Sequence, residues 1–347
     1  MKPVKNLHIL FPEKFFLDFI PFVNSNFNPE EHLFLYLKTD GKEPKASNVT
    51  SLKYYRFGLL FYWELYQYAR KSDKIILHSL SKSKVISFLF IFSAFRKKGY
   101  WYLWGGDLYY RIEKYSKSIF NPLSKWIFKS VVRDLGAIVS QVHGDVDLAR
   151  GWFGFRGKHI DCFLYPSNLF KPLVLTPKKE RTLFIQLGNS AHPSNKHIEA
   201  INRIAYLKGD DVKILCPLSY GGKKNAQKVI EYGKNVFGEK FVPLTSFMPL
   251  QEYIDLLSTI DIAIFNHWRQ QGLGNIISLL GLGKTVYLRD DITTWGLLAD
   301  KKIKGSKFND DKPIKILTTE EAASNKEQVQ LYFSLELLIK QSAHVFA

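Results

Sequence analysis

The sequence predicts an α/β fold with two Rossmann-like, doubly wound domains. Short apolar β-type runs alternate with helix-length stretches throughout the chain, and the alternation forms two series. A Pro- and Lys-rich segment at 171–181 separates the series and reads as a linker. Alternating strands and helices with short loops are typical of parallel sheets covered by helices on both faces. The 347 residues suffice for two domains that each bury a core.

The elements follow from apolar runs and helical spacing. The first series predicts strands at 6–11, 32–37, 74–80, 99–104, 137–142 and 159–165, and helices at 58–70, 81–98 and 122–135. The second predicts strands at 183–187, 212–217, 241–244, 261–265 and 285–288, and helices at 197–206, 223–237, 249–258 and 275–281. A long helix at 319–340 is expected to pack back across the domains. The predicted domains are therefore 1–170 and 181–318, followed by a helical segment at 319–347.

The charge balance indicates a polyanionic partner. The chain has 49 basic and 32 acidic residues, a net charge of +17. Nucleic acid, an anionic membrane and phosphorylated substrates all fit this excess, and the charge alone does not choose among them. The first residues lack the features of a signal peptide. The two cysteines, Cys162 and Cys216, lie far apart in apolar runs, so we expect buried, inert thiols and no structural metal.

The longest apolar run, 85–95, is too short to span a bilayer, which needs ~20 residues. Basic residues flank it: Lys82, Lys84, Arg96, Lys97 and Lys98. Two interpretations stay open: a core helix with solvated ends, or a face that rests on lipid headgroups.

Two loops of the second series combine glycines with polar side chains. Gly188-Asn189-Ser190 follows a strand and precedes a helix, where free N–H groups and the helix dipole attract a diphosphate. Ordinary turn chemistry explains the same pattern. The second loop, 269–275 (RQQGLGN), adds an arginine that can grip phosphate oxygens. Together the loops predict an anion site at the carboxyl ends of the second set of strands.

The first series contains an aromatic loop with an acid, Trp104-Gly105-Gly106-Asp107, followed by Tyr109 and Tyr110. Aromatic rings pack on sugar C–H faces, and a carboxylate at a strand end can take a proton. We expect Asp107 to be uncovered at the mouth of the site, although the same pattern fits an aspartate that caps the next helix. His78, at the end of its own strand, is the alternative base.

Five stretches together resemble one family: WGGDLYY at 104–110, GNS at 188–190, SNKHI at 194–198, RQQGLG at 269–274 and GLGKTV at 281–286. The chain resembles the bacterial transferases that move Fuc4NAc (4-acetamido-4,6-dideoxygalactose) from its dTDP form to a lipid-linked saccharide in enterobacterial common antigen synthesis. These are also known as the 4-alpha-L-fucosyltransferase family. The segment 266–268 before Arg269 and the first ~60 residues diverge from the family pattern.

The resemblance implies a GT-B fold, with the two domains facing a cleft. It also implies a dTDP-sugar donor on the C-terminal domain, a lipid-diphosphate-linked glycan acceptor on the N-terminal one, and no metal or other cofactor. It places the enzyme on the cytoplasmic face of the bacterial inner membrane as a peripheral protein, against an anionic surface. The expected donor-binding residues are Gly188, Asn189, Ser190, Asn195, Pro217, Tyr220, Arg269, Gln270, Gln271, Gly272, Gly274 and Asn275. The expected acceptor-binding residues are Trp104, Gly106 and Tyr109, and the candidates for catalysis are Asp107 and His78.

In transferases of this fold, the helix before the GLGKTV stretch often carries a glutamate for the ribose hydroxyls. The corresponding residues here are Ile277-Ser278-Leu279, without an acid, which suits a deoxyribose donor. Two other classes stay open: a nucleic-acid-binding protein, and a nucleotide- or sugar-binding module without turnover. The former needs aromatics on an exposed basic platform, whereas here they lie inside strand and helix runs, so we expect no nucleic acid partner.

Overall fold

The chain divides into two compact units, Met1–Leu169 with Leu335–Ala347, and Phe170–Ser334. A computed structural model describes residues 3–13, 16–38, 46–53, 58–117, 122–173, 181–246, 248, 250–310 and 312–347. Most of the predicted linker, residues 174–180, lies outside the described residues.

The first unit is a doubly wound parallel sheet. Its strands are β1 (Val4–Leu10), β2 (His32–Lys38), β3 (Val49–Lys53), β4 (Ser72–His78), β5 (Gly99–Tyr102), β6 (Ala137–Val139) and β7 (Lys158–Ile160). Its helices up to the boundary are α1 (Phe16–Asn26), α2 (Gly58–Arg70), α3 (Ser83–Ile91), α4 (Gly106–Lys117), α5 (Pro122–Arg133) and α6 (His143–Phe153). The described strands run in the order β3-β2-β1-β4-β5-β6-β7, and every pairing is parallel. The order reverses direction between β1 and β4, so ligands are expected beyond the carboxyl ends of these two strands.

The second unit repeats this plan. Its strands are β8 (Leu183–Leu187), β9 (Val212–Pro217), β10 (Phe241–Leu244), β11 (Ile262–Phe265), β12 (Thr285–Leu288) and β13 (Ser306–Lys307). Its helices are α7 (His197–Ile204), α8 (Lys223–Phe237), α9 (Leu250–Thr259), α10 (Leu273–Gly281), α11 (Thr293–Asp300) and α12 (Thr319–Tyr332). In the described part the strand order is β10-β9-β8-β11-β12-β13, all parallel, and it reverses direction between β8 and β11.

Each unit has its own hydrophobic core. In the first unit, side chains on one face of β1, β4 and β5, including fully buried Trp101, pack with helix side chains such as fully buried Phe88 of α3. In the second, Ile185, Ile214 and Ile264 on adjacent strands form the centre. The buried strands read as nearly continuous apolar runs because helices cover both faces of a parallel sheet.

The predicted doubly wound fold is confirmed, with differences at some elements. The predicted helix 81–98 is α3 followed by a 3-10 helix, Ser93–Lys98. The predicted helix 319–340 is two helices, because α12 ends at Tyr332 and α13 spans Leu335–Phe346. No Gly or Pro marks this break; instead the Phe333 carbonyl accepts a hydrogen bond from Phe170 N at 3.0 Å. The division of the chain assigns α12 to the second unit and α13 to the first.

The apolar run 85–95 forms part of the core. Val85, Phe88 and Leu89 of α3 are buried in the first unit. Arg96, expected at a solvated flank, is also buried, and its Nη1 lies 3.2 Å from Asp134 Oδ2. This burial agrees with the core-helix interpretation, the lipid-contact interpretation stays a prediction, and the expectation of a solvated Arg96 is wrong. Within the described residues, every helix falls short of the length or apolar content needed to cross a membrane.

Candidate functional site

Three loops meet at the carboxyl edge of the second unit's sheet. Residues 188–195 follow β8, Tyr220 lies after β9, and 266–272 follow β11. Because β8 and β11 flank the point where the strand order reverses, the first and third loops lie on either side of the place where doubly wound sheets bind ligands. The sequence predicted the two glycine-containing loops, and the structure brings them into direct contact.

Asn195 organises the loop after β8. Its Oδ1 accepts a hydrogen bond from the backbone N–H of Asn189 at 3.1 Å and lies 2.8 Å from His267 Nε2. Its Nδ2 donates to Ser190 Oγ at 3.2 Å and to the His192 carbonyl at 3.1 Å. Since this amide oxygen accepts, His267 holds its proton on Nε2. The buried amide thus fixes one loop against the other.

Gln271 makes the second link between these loops. Its Nε2 donates to Asn189 Oδ1 at 3.1 Å, and its Oε1 accepts from Ser194 Oγ at 2.5 Å. The other end of the Asn189 amide reaches the Tyr220 hydroxyl at 3.5 Å. The amides that the sequence singled out as ligand groups therefore also hold the three loops together, and this pre-organises the edge of the sheet.

Glycine is required at two turns of this site. Gly188 has φ +71°, and a Cβ there would lie 2.7 Å from His197 Nε2 and 2.8 Å from Asn195 Oδ1. Gly272, the N-cap of α10, has φ +65°, and a Cβ would lie 3.0 Å from Asn189 Nδ2. A left-handed backbone and close packing both favour glycine at these positions.

Two buried histidines stay neutral beneath the loops. Burial lowers the pKa of His197 to about 4. Burial, followed by the nearby charge of Arg269, lowers the pKa of His267 to about 3. Both imidazoles are therefore uncharged at neutral pH, so they support the loops without adding charge.

A cavity of about 300 Å³ opens beside these loops. Asn189, Pro217, Tyr220 and Asn275, four of the predicted donor-binding residues, line it. The other lining residues were not predicted from the sequence: Ser219, Leu244, Ser246, Met248, Tyr253 and Leu256. The volume is at the lower end of the range for small-molecule sites, ~300–1,000 Å³.

Arg269, Gln270 and Gly274 are not among the residues that line this cavity. Arg269 Nη1 lies 3.3 Å from the Gln270 carbonyl. Gly274 lies in the first turn of α10, and this helix begins at Leu273, two residues before its predicted start at Asn275. The N-terminus of α10, with its free N–H groups, thus faces the same edge of the sheet as the Arg269 loop.

The Gly-x-Gly stretch after α10 has a packing role. A Cβ at Gly281 would clash with the Phe170 ring and lie 2.7 Å from Val329 of α12. Gly283 has φ +73°, and a Cβ there would lie 2.5 Å from Lys326. Close packing against α12 explains both glycines.

In the first unit, Asp107 is buried within the first turn of α4, with 7% of its surface exposed. Its Oδ2 accepts from Leu80 N at 2.9 Å and Trp101 Nε1 at 2.8 Å. Its Oδ1 accepts from Trp104 N at 3.2 Å and Leu108 N at 3.0 Å. Burial raises the pKa of this carboxyl, and the hydrogen bonds oppose the shift. The expectation of an uncovered carboxylate is wrong, because three segments converge on it; its catalytic role stays a prediction.

His78 is fully buried within a chain of ring hydrogen bonds. Its Nε2 lies 3.1 Å from His8 Nδ1, and His8 Nε2 lies 2.9 Å from His32 Nδ1. Its Nδ1 lies 2.6 Å from the Tyr165 hydroxyl, which accepts from Trp104 Nε1 at 2.9 Å. Burial lowers the pKa of His78 well below its usual range, so the imidazole is neutral.

The predicted acceptor-binding residues occupy different environments. Trp104 is half-buried and contacts Tyr165, which the sequence did not single out. Tyr109 is buried, and its hydroxyl donates to Asp145 Oδ1 at 2.8 Å. A Cβ at Gly106 would meet no atom within 4 Å. The Tyr165 hydroxyl therefore links Trp104 to the candidate base His78. Tyr109, by contrast, is buried and hydrogen-bonded to Asp145 of α6.

Comparison with known sequence families gives a match that spans residues 13–330. Its description is 4-alpha-L-fucosyltransferase, glycosyl transferase group 56. The chain belongs to this family. The family resemblance expected from the five sequence stretches is confirmed at this level, and the protein is a glycosyltransferase.

Solved structures of other glycosyltransferases share its fold. Anabaena Alr3699/HepE, in complex with UDP and glucose, has a TM-score of 0.68 at 14% identity over 99% of both chains. WaaG, involved in lipopolysaccharide biosynthesis, has a TM-score of 0.64 at 10% identity over 99% of both chains. A glycosyltransferase from Rickettsia africae ESF-5 has a TM-score of 0.63 at 12% identity, covering 99% of this chain and 98% of the other. These similarities confirm the GT-B fold of this group 56 glycosyltransferase.

Several residues of this glycosyltransferase's candidate sites lacked a sequence signal. Tyr253 and Leu256 of α9 look like ordinary helix residues, and they reach the cavity because α9 follows β10 at the edge of the sheet. Tyr165 lies beyond β7 and meets His78 across 87 positions of sequence. No described group of three or more His, Cys, Asp or Glu is arranged to hold a metal ion.

Proposed function

We propose that this glycosyltransferase moves a deoxyamino sugar of the Fuc4NAc type from a dTDP-sugar to a lipid-linked saccharide in bacterial surface polysaccharide synthesis. The observation that carries the proposal is the second unit's cavity, bordered by the linked loops at the switch point of its sheet. Doubly wound sheets bind nucleotides at such points. The solved Anabaena structure of the same fold contains UDP, which supports a nucleotide donor.

The composition of the cavity supports a thymine base. The rings of Tyr220 and Tyr253 offer stacking surfaces, while Leu244, Met248 and Leu256 supply apolar contacts. An apolar wall favours the 5-methyl group of thymine over the hydrogen of uracil, since burying one methyl group stabilises by about 0.8 kcal/mol. Helix α10 carries no acidic residue to bind ribose hydroxyls, which agrees with a deoxyribose.

We propose that the diphosphate binds at the start of α10. Free N–H groups and the positive end of the helix dipole stabilise an anion there. Arg269, three residues before the N-cap Gly272, supplies a positive charge within the same loop. Arg269 and the N-terminus of α10 thus supply the positive charge that a diphosphate needs. We propose that donor binding requires no metal.

The acceptor is assigned to the first unit, at the ends of β4 and β5. An attacking hydroxyl must lose its proton to a group within hydrogen-bond reach. Both oxygens of Asp107 already accept two hydrogen bonds, so its geometry suits positioning of the Trp104 loop. His78, whose Nδ1 lies 2.6 Å from the Tyr165 hydroxyl, stays the alternative base in this proposal, and its burial lowers its pKa and so weakens it as a proton acceptor.

The donor assignment is tested by calorimetry with dTDP and UDP, followed by turnover. We expect dTDP to bind more tightly than UDP. Removing a charge-assisted contact in Arg269→Ala should weaken dTDP binding by about 1.5–3 kcal/mol. Lys208→Ala, which removes an exposed charge elsewhere in the same unit, is the matched control and should leave binding unchanged. Product is then sought by mass spectrometry with dTDP-Fuc4NAc and a short-chain prenyl-diphosphate disaccharide.

Three results separate the parts of this proposal. Equal affinity for dTDP and UDP contradicts the thymine assignment but leaves a nucleotide-sugar donor. Unchanged dTDP affinity in Arg269→Ala removes that residue from the diphosphate site. Tight dTDP binding with no transfer to any lipid-linked or soluble saccharide supports a binding module without turnover.

A further inference from the structure

One arginine of the first unit is buried without a counter-charge. Arg111 in α4 is 8% exposed, and no described carboxylate oxygen lies within 4.0 Å of its guanidinium. Its Nη1 donates to the Tyr115 hydroxyl at 3.2 Å, and its Cζ lies 4.9 Å from the centre of the Phe128 ring. Its Nε has no hydrogen-bond partner in the described part of the chain.

Arg96 is a buried arginine of the same unit whose hydrogen bonds can be compared with those of Arg111. Its Nε donates to the Leu89 carbonyl at 2.8 Å and its Nη2 to the Phe90 carbonyl at 2.8 Å. Its Nη1 pairs with Asp134 at 3.2 Å. Every nitrogen of Arg96 is used, whereas Arg111 keeps an unused donor.

A guanidinium stays charged in proteins, so the burial of Arg111 carries a desolvation cost that its neighbours do not offset. A neutral tyrosine hydroxyl and an aromatic ring compensate only part of this cost. Buried charges are normally paired. Since Arg111 lines an open pocket, an anionic ligand that enters the pocket could supply the missing counter-charge.

Arg111 lines a pocket of about 270 Å³ between α3, α4 and α5. Hydroxyl groups and apolar side chains share its wall: Ser83, Ser87, Ser124, Ile86, Leu123 and Ile127. Hydroxyls together with a guanidinium suit phosphate oxygens, because both donate hydrogen bonds and the guanidinium adds charge. The volume accommodates a phosphate but not a whole sugar nucleotide.

The helices that form this pocket carry exposed apolar side chains and lysines. On α5, Leu123 is 66% exposed and Trp126 is 56% exposed. Lys125 and Lys129 lie on the same helix, and Lys114 lies on α4. Exposed apolar side chains among lysines fit an amphipathic anion, whose apolar part covers Leu123 and Trp126 while its phosphate enters the pocket.

We infer that the Arg111 pocket binds the phosphate of a prenyl-type lipid phosphate, with the apolar chain lying on Leu123 and Trp126. This inference deepens the proposed function, on which it rests for the use of a lipid-linked acceptor. Phosphate binding in the pocket itself stands on the unpaired guanidinium.

Calorimetry tests the inference with three probes: farnesyl phosphate, inorganic phosphate and farnesol. We expect farnesyl phosphate to bind at least about tenfold more tightly than either of the others, because it alone offers both charge and chain. Arg111→Met should weaken farnesyl phosphate binding by about tenfold or more and should not lower the melting temperature, since it removes an uncompensated charge. Arg111→Lys should bind with intermediate affinity.

Two further variants isolate the site. Ser87→Phe fills the pocket without changing the arginine and should also abolish binding. Arg269→Ala is the matched control, because it removes an arginine of the second unit and should bind farnesyl phosphate like the wild type. Conversely, Arg111→Met should bind dTDP like the wild type, so failure of the lipid site and failure of the donor site give different results.

Unchanged farnesyl phosphate affinity in Arg111→Met and Ser87→Phe would overturn the inference. Equal affinity for inorganic and farnesyl phosphate would overturn its lipid component. A collapse of the melting temperature in both Arg111→Met and Arg111→Lys would also count against it, since that behaviour belongs to a structural arginine.

Discussion

Replacing Asp107 by asparagine should destabilise the first unit, because both carboxylate oxygens are fully used. Oδ1 accepts from the N–H groups of Trp104 and Leu108, and Oδ2 accepts from Leu80 N and Trp101 Nε1. In asparagine one of these oxygens becomes an NH₂ group, which cannot accept. Whichever way the amide turns, two donors lose their partner and face another donor.

The magnitude follows from two lost hydrogen bonds to a charged group, each worth about 1.5–3 kcal/mol. Burial raises the pKa of Asp107, which shows that the carboxylate is itself destabilised by desolvation. Asparagine escapes that cost, so we expect the lower end of the sum, about 3 kcal/mol. This is a large part of the ~5–15 kcal/mol that stabilises a typical domain.

Urea denaturation followed by circular dichroism measures the effect. Asp147→Asn is the matched control. Asp147 is exposed in α6, and among the described residues its ion pair is with Arg150, so its loss should change the free energy of unfolding by no more than about 0.5 kcal/mol. Asp107→Asn with native stability and an approximately 100-fold loss of turnover would refute this reasoning and restore the carboxylate as general base.

Three further results are expected. In the folded state His8, His32 and His78 are buried and have lowered pKa values, about 4 for His32, so the unfolded chain binds more protons than the folded one below pH 6.5. The free energy of unfolding should therefore fall on acidification by about 1.4 kcal/mol per pH unit for each histidine. A urea midpoint that stays constant from pH 7 to 5 would contradict this. Gly188→Ala should weaken dTDP binding and lower the melting temperature, because Gly188 has a left-handed backbone and a Cβ there would meet close neighbours. Gly106→Ala is the control: a Cβ at Gly106 meets no atom within 4 Å, so its melting temperature in differential scanning calorimetry should be unchanged. Because both cysteines are buried, and burial raises the pKa of the Cys162 thiol to about 12, neither should react with Ellman's reagent at pH 8 until the chain unfolds.

The sequence alone determined the doubly wound architecture and much of the second unit. The strands Leu183–Leu187 and Val212–Pro217 and the helix Lys223–Phe237 have the predicted bounds. Their apolar runs end at glycine, proline or polar turns, so the local pattern and the tertiary environment agree. The two glycine loops were likewise visible, because positive φ angles and strand–helix junctions leave a local signature.

Only the tertiary structure decided which side chains meet and which are covered. In the sequence, Asp107 and Asp147 are both acidic residues of a predicted or observed helical region and look alike. In the structure, three segments converge on Asp107 and bury it, whereas Asp147 is exposed and pairs with Arg150. The Tyr165–His78 contact spans 87 positions, and buried Arg111 of α4 lies against the Phe128 ring of α5. Such burial depends on contacts between residues distant in the chain, and hydrophobic periodicity carries no information about them.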